Sequence, residues 1–159
     1  MKNIYLCGFM GSGKSAIGRL ISKRHGLKHI DSDREIEKLK GMKIPEIFKN
    51  YGENYFRDLE TDFLKSLKDS ENLVISTGGG MMISKENAKI AKSNGIIVLL
   101  EIPFDLCWER IKNSSRPLVV NNKKDQIKAI YDERQKIYRL NANIAVSNDT
   151  SSSLCANKI

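Results

Sequence analysis

Residues Gly8-Phe9-Met10-Gly11-Ser12-Gly13-Lys14-Ser15 fit the pattern G-x-x-x-x-G-K-[ST]. A short apolar run precedes them and apolar residues at helical spacing follow, the strand–loop–helix setting that this motif needs in order to bind a phosphate chain. The glycines let backbone N–H groups turn inward around an anion, and the helix N-terminus adds positive potential. Lys14 would then contact the β- and γ-phosphates, and Ser15 would ligate Mg²⁺. An ordinary glycine-rich turn is the alternative, and the flanking elements weigh against it.

Three further groups could carry chemistry. Asp31-Ser32-Asp33 follows a weak apolar run. An acid there often serves only to cap the next helix, and Ser32 or Asp33 could do so. Two acids beside a phosphate site also allow one carboxylate to hold Mg²⁺ through water and the other to face an acceptor hydroxyl; spacing alone does not choose. Gly78-Gly79-Gly80 is either a flexible turn or a place where a ligand approaches the main chain, because three glycines in a row are costly in backbone entropy. Arg57 by itself reads as a solvated helix residue with Glu60 as its i,i+3 partner, and Arg134 and Arg139 read likewise. Asn122-Lys123-Lys124-Asp125 matches the guanine-reading N-K-x-D, but no D-x-x-G lies between it and the phosphate loop, so a solvated polar loop is the better reading.

The elements that must position these groups follow from periodicity. Short apolar runs at 4–7, 27–30, 73–76, 96–100 and 144–146 read as strands. Helical spacing covers 14–25, 33–40, 44–50, about 53–69, 84–94, 104–112 and 125–140, with Gly26, Gly41 and Gly95 as stops. The run 96–100 is apolar at every position, as a parallel strand covered on both faces should be. Alternation of strand and helix implies a parallel sheet with helices on both faces. Ligands bind beyond the carboxyl ends of such strands, where the phosphate loop, the two aspartates and the triple glycine all fall.

The chain has 159 residues, 40% of them hydrophobic, enough for one domain with a core over 1–159. Its formal charge of +8 fits nucleic acid, a membrane surface or small anionic substrates. The lysines are dispersed, without aromatic interleaving or a basic stripe, which favours small anions. Cys7, Cys107 and Cys155 are odd in number and far apart, so a disulfide framework or zinc site is not expected. With no leader-like layout and no apolar run of bilayer length, the expectation is a cytoplasmic protein.

Taken together in order, the phosphate loop, Asp31-Ser32-Asp33, Phe56-Arg57-x-x-Glu60, the triple glycine, Arg116-Pro117-Leu118 and Glu133-Arg134 with Tyr138 resemble the shikimate kinase family, within the nucleoside monophosphate kinase-like P-loop fold. The resemblance implies a three-layer α-β-α fold with a five-stranded parallel sheet and a mobile lid at about 113–124. It implies transfer of the ATP γ-phosphate to the 3-hydroxyl of shikimate, with Mg²⁺ as cofactor. ATP and shikimate would be the partners of a monomer that needs neither nucleic acid nor membrane. ATP would meet Gly11, Ser12, Gly13, Lys14, Ser15 and Ala16, with Arg110 placed by position against the adenine and Arg116 closing as the lid arginine. Lys14, Asp33 and Arg116 would be catalytic. Asp33, within an acceptor segment at 33–62, would bind the hydroxyl, Arg57 and Arg134 would hold the carboxylate, and Gly78, Gly79 and Gly80 would line the acceptor pocket. Ser15 and Asp31 would hold the metal, the latter through water. The chain departs from the family at Ala16, where Thr is common, at Arg134-Gln135-Lys136-Ile137-Tyr138, which lacks the usual Pro-Leu-Tyr ending, and in the short stretch after Asn148. A gluconate kinase or another small-metabolite kinase of the same fold is the nearest rival; a P-loop switch or nucleic-acid-binding ATPase is the rival from another class.

Overall fold

The computed structural model describes residues 2–149 and 151–159; Met1 and Thr150 lie outside the described residues. Five strands form one sheet: β1 (Asn3–Cys7), β2 (Lys28–Asp31), β3 (Leu73–Ser76), β4 (Gly95–Glu101) and β5 (Ile144–Ser147). Every pairing is parallel and the order is β2-β3-β1-β4-β5. The chain thus leaves the central β1 toward one edge and later crosses to the other, which opens a crevice above the carboxyl end of β1. Register aligns the strand ends that matter, with Ser76 opposite both Leu6 and Asp31.

Side-chain alternation along the strands assigns the layers. Leu6, Val74, Val98 and Leu100 face Ile17 and Ile21 of α1 (Lys14–His25), together with Cys155 and Ala156 of a C-terminal α9 (Ser152–Asn157). Tyr5, Cys7, Ile75, Ile97 and Leu99 face the opposite layer. That layer is built from α4 (Glu53–Ser66), α5 (Lys85–Asn94), α6 (Phe104–Ile111) and α8 (Lys124–Asn141). Each sheet face is therefore dry, as the unbroken apolar run in β4 requires. A third, smaller apolar cluster of Ile36, Ile47 and Phe56 binds α2 (Ser32–Lys40) and α3 (Ile44–Tyr51) to α4, beyond the strand ends.

The expected elements are present with small shifts. The helix expected to run to 69 ends at Ser66 and continues as turns. Within the lid expected at about 113–124, residues 117–120 form one helical turn, α7 (Pro117–Val120), started by a proline whose fixed φ suits a first helical position. Helix α9 was not legible, because six residues opening on serines carry too short an apolar period to register. The cap of α2 is Asp31, not Ser32 or Asp33: Asp31 Oδ1 accepts from the backbone N–H of Arg34 at 3.3 Å. Ser32 is left fully buried, its hydroxyl accepting from the Gly78 N–H at 2.9 Å, and so joins the end of β2 to the triple glycine. The N-K-x-D run does not make a base-reading loop. Lys123 caps α8, with its N–H donating to Gln126 at 2.7 Å, and the Asn122 amide donates to the Leu118 carbonyl.

Candidate active site

The loop between β1 and α1 closes around the amine of its own lysine. Gly8, Gly11 and Gly13 take φ values of +143°, +79° and +89°, which side chains disfavour. Lys14 Nζ donates to the carbonyls of Gly8 at 2.7 Å and Phe9 at 3.0 Å. Burial and the neighbouring Arg116 lower its pKa to about 8, with Asp33 pulling the other way. A cavity of about 260 Å³ lies over this loop, walled by Lys14, Ser15, Ala16, Asp31 and Arg110 among others. The Arg110 guanidinium donates to the Gly11 carbonyl at 2.7 Å, which places it at the loop itself.

Ser15 and Asp31, drawn from different elements, meet: the Ser15 hydroxyl donates to Asp31 Oδ2 at 2.7 Å. Two hard oxygen donors of this kind, one anionic, beside a phosphate cavity suit Mg²⁺.

A second cavity of about 570 Å³ opens alongside, and Asp33, Arg57, Gly80 and Arg134 share its wall with Arg116 and the 114–122 segment. The two cavities are not separate. Met10, Asp33, Gly78, Gly79 and Arg116 line both. Asp33 Oδ1 is buried at this junction without a hydrogen-bond partner among the described residues. Burial and the nearby Asp31 raise the Asp33 pKa, while Lys14 and Arg116 oppose the rise.

Arg57 keeps its expected partner and reaches the pocket as well. Its guanidinium donates to Glu60 at 2.7 Å and to Glu53 at 3.1 Å. Glu60 is fully buried. Burial pushes its pKa up to about 7, against the pull of Arg57, and Asp33 adds to the rise while Arg134 opposes it. Arg134 reaches the same wall from α8, its Nη1 lying 3.8 Å from where a Cβ on Gly79 would stand. Arg139, five residues further along the same helix and so on a different face, stays on the surface with Glu101 at 2.6 Å.

The triple glycine is held firmly. The buried Tyr138 hydroxyl donates to the Gly79 carbonyl. Asn87 and Asn141 donate to the next two free carbonyls, those of Met81 at 3.0 Å and Met82 at 2.8 Å. The sequence suggested Ser32 only as a helix cap and gave no site role to Met10, Asn87 or Asn141. Single polar residues on otherwise ordinary helices carry no local signal of the carbonyl they will meet.

The comparisons with known proteins agree with this geometry. The shikimate kinase family model matches residues 10–159. A shikimate kinase of Persephonella marina is 45% identical over 96% of this chain and 92% of its own length. The solved structure of shikimate kinase from Acinetobacter baumannii in complex with shikimate is 35% identical, covers 99% of this chain and 90% of that chain, and superposes with a TM-score of 0.93. A gluconokinase from Sinorhizobium meliloti, 15% identical with a TM-score of 0.59 over 99% of this chain and 88% of its own, shares the fold alone. With its motif set, sheet order and paired cavities in agreement, this chain belongs to the shikimate kinase family.

Proposed function

We propose that this chain transfers the γ-phosphate of ATP to the 3-hydroxyl of shikimate in the space between its two cavities. The observation that carries the reading is the shared wall: one cavity lies over the phosphate loop, the other over two arginines, and Asp33 stands where they join. Little covalent work is asked of the protein in phosphoryl transfer; position and charge do most of it. Asp33, with an unpartnered oxygen and a raised pKa, is suited to accept the hydrogen of the acceptor hydroxyl and orient its oxygen. Arg57 and Arg134 are suited to hold the acceptor carboxylate, a planar anion that guanidinium groups recognise well. Glu60 fixes the Arg57 guanidinium from behind. The Lys14 ammonium, now turned to two loop carbonyls, would exchange them for phosphate oxygens. Arg116, exposed at the mouth shared by both cavities, would close over the phosphates and exclude water. Ser15 and Asp31 would hold Mg²⁺, which when bound offsets the charge of the β- and γ-phosphates.

A reducing, cytoplasmic setting suits three buried free thiols, and among the described residues no helix is long and apolar enough to cross a membrane. The deciding experiment measures ADP release with shikimate, gluconate and nucleoside monophosphates as parallel acceptors. Turnover with shikimate alone is expected. Faster turnover with gluconate would transfer the same machinery to the other acceptor, since that molecule also carries a carboxylate.

A further inference from the structure

Asn148 follows β5 and lies 136 residues beyond Ser12 in the chain, yet the two touch. Its side-chain Nδ2 donates to the Ser12 carbonyl at 2.8 Å, and the residue is 5% exposed. Its backbone N–H donates to the Glu101 carbonyl at the end of β4, also at 2.8 Å, so the side chain springs from a fixed point. The contact is close: a Cβ on Gly13 would stand 2.7 Å from Asn148 Nδ2.

The peptide that this bond holds is a vulnerable one. It joins Ser12 to Gly13, and turning it over changes mainly ψ of Ser12 and φ of Gly13. Glycine tolerates either sign of φ at little cost, so Gly13, at φ +89°, provides no barrier of its own. In a trans peptide the C=O and N–H point to opposite sides. Holding the Ser12 carbonyl outward on Asn148 therefore holds the Gly13 N–H on the other side. Gly13 is part of the wall of the phosphate cavity. The preceding carbonyl, that of Gly11, is held in the same way by Arg110.

We infer that Asn148 is a positioning residue for polyphosphate binding: it locks the Ser12–Gly13 peptide in the orientation that presents the Gly13 N–H to the nucleotide phosphates. Its amide is committed to the Ser12 carbonyl, so its effect runs through the loop and not through the base. The role rests on the assignment of residues 8–15 to phosphate, made above.

The test compares tripolyphosphate, ADP and AMP as ligands by calorimetry for the wild type, Asn148→Ala and Asn148→Asp. Both variants lose the donor, and the aspartate also sets a charge against the Ser12 carbonyl. Expected is a loss of roughly tenfold or more in tripolyphosphate and ADP affinity, the size of an unmade hydrogen bond to a buried carbonyl. AMP affinity and the shikimate KM should change less than about twofold, within the scatter of such measurements, while the ATP KM rises. Equal weakening of AMP and ADP would make Asn148 a wall of the base site and overturn the inference. Unchanged tripolyphosphate binding would overturn it as well. Lys14→Met, measured alongside, separates the two assignments: if it binds tripolyphosphate as the wild type does, the phosphate reading itself fails. A measurement on the wild type guards against variants that do not fold. The Asn148 side-chain amide protons should exchange slowly with solvent both with and without ADP, and fast exchange in either state also overturns the role.

Discussion

Lys14 is the residue whose resting state says most about its task. It is buried against two carbonyls, and burial together with Arg116 holds its pKa near 8. A bound polyphosphate restores the preference for the charged form. Below about pH 8 the ammonium is already present; above it, binding must take up a proton, at a cost of roughly 1.4 kcal/mol per pH unit. ATP affinity is therefore expected to weaken as pH rises from 8 to 9.5. Calorimetry in buffers of different ionisation heat should show greater proton uptake at the higher pH, and Lys14→Arg should remove that dependence. Asp33 makes a complementary case. In Asp33→Asn the size is kept and the capacity to accept a proton is lost, so kcat should fall by about 10²-fold or more while ATP affinity stays near the wild-type value. Unchanged turnover would leave Asp33 as a residue of the first turn of α2 and nothing more. Since its pKa is raised, the wild-type rate should fall as pH drops through that raised value.

Among the elements, the two glycine runs do different work. In the phosphate loop the reason is backbone conformation, since Gly8, Gly11 and Gly13 all have positive φ. In the triple glycine it is space: Gly80 has an ordinary φ of −96°. A Cβ on Gly80 would run into the Arg57 guanidinium, and one on Gly78 would stand 2.5 Å from Asp33 Oδ1. The missing methyl groups leave room for the protein's own side chains at the acceptor wall, and Tyr138, Asn87 and Asn141 keep the segment rigid. Gly80→Ala is thus expected to raise the shikimate KM by displacing Arg57. In an Arg57→Ala background the same change should add little, a non-additivity that a double-mutant cycle measures directly. Arg57→Ala and Arg134→Ala should each cost roughly 2–4 kcal/mol of shikimate binding, with the ATP KM nearly unaltered and only partial rescue by lysine. If both losses left the shikimate KM untouched, the carboxylate would have to be held elsewhere.

The molecule as a whole bears a cost for placing these charges inside. Glu60 has an ordinary pKa near 4.5 when exposed, and burial raises it to about 7 in the fold despite Arg57. Between these values the folded chain binds more protons than the unfolded one, so this residue's contribution to stability falls as pH rises from about 4.5 to about 7 and stays lost above that. Burial lowers the pKa of His29, which works in the opposite sense below its usual value, so the contrast must be read by difference. Urea midpoints measured between pH 5 and 8 should decline less in Glu60→Gln than in the wild type. The same variant should also raise the shikimate KM, because a neutral amide holds the Arg57 guanidinium less firmly than the buried carboxylate does. A parallel decline in both proteins would mean that Glu60 is ionised at little cost in the fold.

Much of this was open to reading in the amino-acid sequence, for a physical reason. The phosphate loop, the strand–helix alternation and the dry run of β4 are local patterns, since glycine placement and apolar period act over a few residues. The family motifs added which distant residues belong together. Yet nothing local requires Arg57 and Arg134 to share a cavity, or Asp31 rather than Ser32 to cap α2 while its second oxygen takes the Ser15 hydroxyl. Nor does the sequence near Asn148 or Tyr138 name the carbonyl each will find, one 136 residues away and the other 59. Those meetings were decided by tertiary structure. Strand order and helix packing set distances between segments, and a single polar side chain leaves no periodic trace of the partner that packing brings to it.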